Sequence, residues 1–265
     1  MNVLLRELKS HKKGTLLWSV AIAAFMFLSM AKYTALSGDA AASQQVMQAF
    51  PATLQAVFGM TGLNLTTIEG YYGTCFIFLA VMLAIHAGML GAEIIAKEET
   101  GKTAEFLYVK PISRARVLTQ KLIAGLALLA LVGFAAYGSS YTSIAMVNAG
   151  LVPHEILIIF TAALSTVQLV FFGIGACCGG ALGVPKKAAT LTAIITFTGY
   201  IAYVLWGLSP DFSWMQLISP FAYFAAKDII ATNNLSTGWL LLCAGVFIAT
   251  ISATYLRYTH RDFKV

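Results

Sequence analysis

Residues Ala96 to Thr103, AKEETGKT, fit the looser form of a phosphate-loop pattern, with Gly101, Lys102 and Thr103 in the defining positions. That chemistry needs a glycine-rich turn leaving a buried strand, backbone N–H groups aimed at the phosphates, and a helix whose lysine reaches the terminal phosphate. Glu98 and Glu99 would instead turn negative charge toward the phosphates. His86 and Glu93 form the next candidate group, about two turns apart in AVMLAIHAGMLGAE. Gln168, with Ser165 and Thr166, is a third. The sequence contains no H-E-x-x-H, no acidic pair on one helical face, and no serine beside a lysine or histidine inside an apolar run. A membrane-embedded enzyme is therefore the least favoured reading. Cys75, Cys177, Cys178 and Cys243 all fall in apolar runs without C-x-x-C spacing, and read as small buried hydrophobes.

What must position these residues is a membrane bundle. Hydrophobic residues make up 59% of the 265-residue chain and charged ones 11%, against about 25% charged in a soluble domain. The net charge of +6 lies in short segments between apolar runs, with no basic face of a soluble module, so nucleic acid is excluded as a partner. Six uncharged runs are long enough to cross roughly 30 Å of hydrocarbon, at about 14–36, 70–92, 119–147, 156–182, 188–208 and 237–256. The first resembles a secretory signal, but its uncharged stretch is longer than a usual signal core and five more spans follow, so it reads as a retained anchor. With the amino terminus inside, fifteen of the seventeen Lys and Arg residues fall in cytoplasmic segments, leaving Lys32 and Lys227 outside. The expectation is an all-α integral membrane protein: one domain over 1–265, six transmembrane helices, both termini cytoplasmic.

No cytoplasmic segment has room for the parallel sheet of a nucleotide-binding domain, so AKEETGKT is not read as an ATP site. Its surroundings are more informative. The loop IIAKEETGKTAEFLYVKPISRARVLTQK is long and charged, whereas the other inner loop is only GVPKKA. It carries an apolar patch at Phe106, Leu107 and Val109, a helix stop at Pro111, and Ser113 as the N-cap of the next helix. A short amphipathic helix displayed between two spans points to docking of a soluble partner; a plain solvated loop is the alternative.

Three other segments carry organisation. NVLLRELKSHKK, residues 2–13, sets Leu4, Leu5 and Leu8 against Arg6, Lys9 and Lys13, as an interfacial helix on the inner membrane surface would. Residues 209–236 are too aromatic for a solvated loop and too interrupted, by Pro210, Pro220 and charges, for a span; re-entrant or interfacial helices satisfy both. Residues 37–68 contain a further amphipathic stretch on the outer face. Within the spans, His86 reads either as a pathway or interface residue or as an imidazole bonded to a neighbouring helix. Glu93 lies near the inner interface and Gln168 could meet substrate or bond within the bundle. Small residues spaced four apart in FFGIGACCGGALG allow a close helix approach, against a helix not identified.

The pattern E-E-x-G-K-T-A-E-F-L-x-x-K-P-I-S-R followed by Lys121 resembles the loop after the second span in type-2 ATP-binding-cassette exporter permeases, in particular a firmicute-type branch. FPATLQAVFG, GYYGT, ISPFAYF and the ending YTHRDFKV extend the likeness in matching order. The resemblance implies a permease subunit with no ATPase of its own, pairing with a second six-span subunit, identical or sister. Each would receive a separate ATPase subunit that binds ATP and Mg. It further implies that Glu98, Glu99, Gly101, Glu105, Phe106, Leu107, Pro111, Ser113 and Arg114 make or shape a coupling helix on that ATPase, in a bacterial cell membrane. The expected function is ATP-driven export of a hydrophobic or amphipathic cargo such as a peptide antibiotic, drug or lipid. The alternative is a channel or secondary transporter, but no internal repeat or intramembrane charge pair speaks for one.

Overall fold

A computed structural model describes residues 3–34, 49–100 and 113–260, with the side chains of 98–100 and His260 outside the description. The elements are α1 (Val3–Met30), α2 (Ala52–Val57), α3 (Ile68–Thr100), α4 (Arg114–Val147), α5 (His154–Leu182) and α6 (Pro185–Leu208). Two 3-10 segments, Pro210–Leu217 and Ala222–Phe224, then lead to α7 (Ala226–Thr232) and α8 (Thr237–His260). Six of these, α1, α3, α4, α5, α6 and α8, are long and apolar enough to cross a membrane, as the apolar runs predict. Several are longer than their runs because polar ends continue the helix beyond the hydrocarbon.

Local chemistry sets the boundaries. Ser113 caps α4 by accepting from the Arg116 N–H at 3.4 Å. Gly183, at φ 61°, ends α5 in the left-handed conformation, its N–H donating to Gly179 O at 2.9 Å. Pro185 then opens α6, where its missing N–H costs nothing. The α5–α6 connection is therefore only Gly183 and Val184.

Burial ranks the helices. Of the most apolar window of α3, 72% is buried, against 22% for α1 and 11% for α8, so α3 is the axis and the other two are peripheral. Its most extensive contact is with α5. There the backbones nearly touch: a Cβ on Gly91 would stand 2.8 Å from Ala176 N, and one on Gly179 would stand 2.7 Å from Ala92 O. Gly175 faces the backbone of Gly88 in the same seam. On another side of α5, Gly173 admits Phe247 and Thr250 of α8, and Gly180 meets Thr254. The small-residue spacing in the sequence thus serves two neighbours, α3 and α8.

Residues 3–13 differ from expectation. They are the first turns of the same unbroken helix that forms the first span. Its buried stripe is Val3, Glu7, His11 and Thr15, four apart, while Leu5 is exposed. A buried ion pair, described below, fixes that face inward, with Leu4 and Leu8 partly buried beside it.

The segment 209–236 folds back into the bundle. The Ser219 hydroxyl donates to Gly199 O at 2.7 Å, and Phe221 stacks on Phe171 of α5 at 5.3 Å. Gly199 precedes the end of α6 by nine residues, about 13 Å of helix. Tyr223 lies flat on Trp239 at 4.5 Å, and the Lys227 ammonium sits 4.6 Å from the centre of the Trp206 ring. On the same end, α2 packs on α6, with the Tyr200 hydroxyl donating to Val57 O at 2.6 Å. Gly59 follows at φ 64°, where a Cβ would come within 2.8 Å of Ile77.

Candidate functional site

The opposite end of the bundle gathers the start of α1, the end of α3, the start of α4, the α5–α6 turn and the end of α8. Charged residues join α1, α3, α4 and α8. The Glu7 side chain is fully buried and forms an ion pair with Lys97 Nζ from the last turns of α3. Arg6 Nη2 approaches the same carboxylate at 3.5 Å, and His11 Nε2 lies 3.7 Å from it, one turn further along α1. Lys97 Nζ also donates to Ser10 Oγ at 3.3 Å and stands 3.5 Å from His11 Nε2. A buried carboxylate needs such pairing because desolvating it alone is prohibitive.

Two more ties complete the cluster. Lys121, fully buried on α4, donates to Ile94 O of α3 at 2.6 Å. Arg114 Nη1 donates to Thr259 O of α8 at 3.3 Å. Both flanks of residues 101–112 are therefore fastened, Lys97 to α1 and Arg114 and Lys121 to α8 and α3. The residues of AKEETGKT up to Thr100 lie in the helical tail of α3, and the described residues contain no strand to precede a phosphate loop.

The residues expected to contact an ATPase divide accordingly. Ser113 and Arg114 are described, as a cap and as the tie to α8. Glu98 and Glu99 lie in the final turn of α3, with side chains outside the description, while Gly101, Glu105, Phe106, Leu107 and Pro111 fall outside the described residues.

His86, Glu93 and Gln168 occupy three separate places. His86 is buried and packs on the Trp18 ring of α1 at 5.6 Å, and its Nδ1 has no hydrogen-bond partner among the described residues. Glu93 is exposed in a groove of about 680 Å³ between α3 and α6, with Met89, Lys97 and Lys186. Gln168 is buried beside a second groove, between α4 and α5. Among the described residues no three His, Cys, Asp or Glu side chains come together as a metal site, and all four cysteines are free.

Glu7, His11 and the burial of Lys121 escaped the sequence reading. One signal was available: Glu7 is the only acidic residue before Asp39, set in a strongly basic run and four residues from both Val3 and His11. A lone acid at that spacing marks an inward-facing position.

Compared with the curated proteins, the chain has no significant match. A family model described as ABC-2 family transporter protein matches residues 1–262. Proteins of that family are membrane transport components, are not themselves catalytic, and normally work with an ABC ATPase subunit. With six apolar helices and a match over nearly its whole length, this chain belongs to the ABC-2 transporter family.

Proposed function

We propose that this chain is the permease subunit of an ATP-driven exporter in a bacterial cytoplasmic membrane. Its two termini and the loop 98–112 face the cytoplasm, where fifteen of seventeen basic residues then lie. A second six-span subunit, identical or sister, completes the pathway. Separate ATPase subunits carry ATP and Mg and engage the loop through Glu98, Glu99, Glu105, Phe106 and Leu107, with Gly101, Pro111, Ser113 and Arg114 shaping it. The outer segment 209–236 acts as the re-entrant closure of the pathway, and the cargo is hydrophobic or amphipathic.

One observation carries this reading: both flanks of the loop are tied by charged side chains to other helices, through Glu7–Lys97, Lys121–Ile94 O and Arg114–Thr259 O. A force applied to that loop is thereby delivered to α1, α3, α4 and α8 together. The test is purification of the tagged chain from its own membranes in mild detergent. A soluble ATPase is expected in about equal ratio to the chain, and the double variant Glu99→Lys, Glu105→Lys should lose it while staying in the membrane. A wild-type chain that purifies alone rejects the proposal.

A further inference from the structure

The Lys97 ammonium has three protons to donate, and α1 supplies an acceptor for each: the Glu7 carboxylate as an ion pair, Ser10 Oγ at 3.3 Å and His11 Nε2 at 3.5 Å. Side chains three and four residues apart share a helical face, so positions 7, 10 and 11 meet one cation together. Elsewhere α1 packs chiefly on α4. Its hold on α3 at this end comes largely from these side chains.

One of the three acceptors is conditional. A neutral imidazole with its proton on Nδ1 offers Nε2 as an acceptor, whereas a protonated one carries N–H on both nitrogens and accepts nothing. His11 is 9% exposed, so little water reaches it. Proton uptake would set two cations 3.5 Å apart beside a single buried carboxylate, which Arg6 Nη2 already approaches at 3.5 Å. Among the described residues, the other titratable and charged groups that face His11 are Glu93 and His86 on α3 and Lys121 on α4. Of these only Glu93 is negative, and it shares the α3–α6 groove with Lys186.

We infer that Lys97 and His11 form a pH-operated latch between α1 and α3, closed while the imidazole is neutral and released when it takes a proton. His11 precedes the uncharged run that starts at Gly14, so protons reach it from the aqueous face. Burial first, and Lys97 next, hold the imidazole below its ordinary value of 6.5; Lys121 adds to this, while Glu93 and Glu7 oppose it. The separated form therefore binds the proton more readily than the latched one. The latch contributes in full above about pH 6.5 and lets go as pH falls below that. The inference rests on this cluster alone and needs neither the ATPase nor the cargo.

The test is hydrogen–deuterium exchange of the full chain in phospholipid nanodiscs, read on a peptide covering residues 3–15 at about pH 7.5 and about pH 5.5. Wild type is compared at each pH with His11→Gln, whose amide still offers Lys97 an acceptor and does not titrate; equal pH cancels the intrinsic exchange rate. The two should exchange alike at the higher pH, and wild type about threefold or more faster at the lower. His11→Lys, charged at both, should show the faster exchange already at the higher pH. His86→Gln should keep the wild-type response. Four results overturn the inference: a ratio of wild type to His11→Gln that is the same at both pH values; an acid response spread equally to residues 209–236, which is general loosening; a response lost in His86→Gln, which moves the proton to the other ring; or His11→Lys exchanging as slowly as wild type at the higher pH. Should the substituted chains not fold, wild type alone decides. Onset above about pH 5 upholds the latch, and onset only below that belongs to the Glu7 or Glu93 carboxylate and overturns it.

Discussion

The two ends of the bundle are held by different chemistry. At the end carrying Glu7, the contacts carry charge: the buried Glu7 pairs with the part-exposed Lys97, and the buried Lys121 donates to Ile94 O. At the other end, tyrosine hydroxyls donate to backbone carbonyls: Tyr33 to Thr66 at 3.1 Å, Tyr71 to Ser29 at 2.8 Å and Tyr200 to Val57 at 2.6 Å. Aromatic stacks fill the space between. A buried ionic contact is close to all-or-none, since removing one partner strands the other. Neutral hydrogen bonds and stacks fail in small, independent increments. The first kind of end transmits displacement as a unit; the second can open in steps.

This contrast can be broken first at the seam that makes one body of the two ends. Gly175→Leu drives a side chain into the backbone of Gly88, so the chain should lose its monodisperse peak in size-exclusion chromatography, the largest effect of the series. Glu7→Lys sets two ammonium groups together in a buried place. It should lower stability by about 3–5 kcal/mol in a detergent unfolding titration, and a change under about 1 kcal/mol would deny the ionic character of that end. Lys121→Met keeps the apolar stem and removes the donor to Ile94 O; a loss of about 1.5–3 kcal/mol is expected in the same assay. At the aromatic end, Tyr200→Phe should cost about 0.6 kcal/mol, typical of a hydrogen bond inside a membrane protein. A loss as large as that of Lys121→Met would erase the distinction.

The smallest expected effect is one of pH. Burial, with the Glu69 carboxylate beside it, raises the Tyr33 phenol above its ordinary value, and burial, helped by Cys243, raises that of Tyr223. Both are neutral in folded and unfolded chains below about pH 9, so their contribution is constant there. Above about pH 10 the unfolded phenols ionise before the folded ones, and stability should fall slightly. Thermal midpoints of Tyr33→Phe should show a smaller decline than wild type, and those of Tyr33→Phe, Tyr223→Phe a smaller one still.

The spans were legible because a bilayer demands about 20 apolar residues in a row, and each expected run overlaps a helix of the structure. Ser113 was legible as a cap because its place between Pro111 and a helix-forming run leaves few alternatives. The partner of Gly175 was not, since a small residue reports closeness without naming the neighbour. Nor was the direction of α1: the pattern of Leu4, Leu5 and Leu8 against Arg6, Lys9 and Lys13 reads as a surface helix, whereas Glu7 is buried with a counterion 90 positions away. The spacing of Glu7 from Val3 and His11 marks the face, but nothing in it names Lys97 as the counterion.

The lengths of α3 and α4 have a consequence of their own. At 33 and 34 residues each is about 50 Å long, whereas roughly 30 Å of hydrocarbon separates the two faces of a bilayer. A tilt absorbs only part of the surplus. At the Glu7 end the surplus is shared: Lys97 of α3 reaches Glu7 of α1, and Arg114 at the start of α4 reaches Thr259 at the end of α8, so four helix ends stand together. A protein that binds the loop between α3 and α4 therefore pushes on a group of four helix ends, not on a lone hairpin.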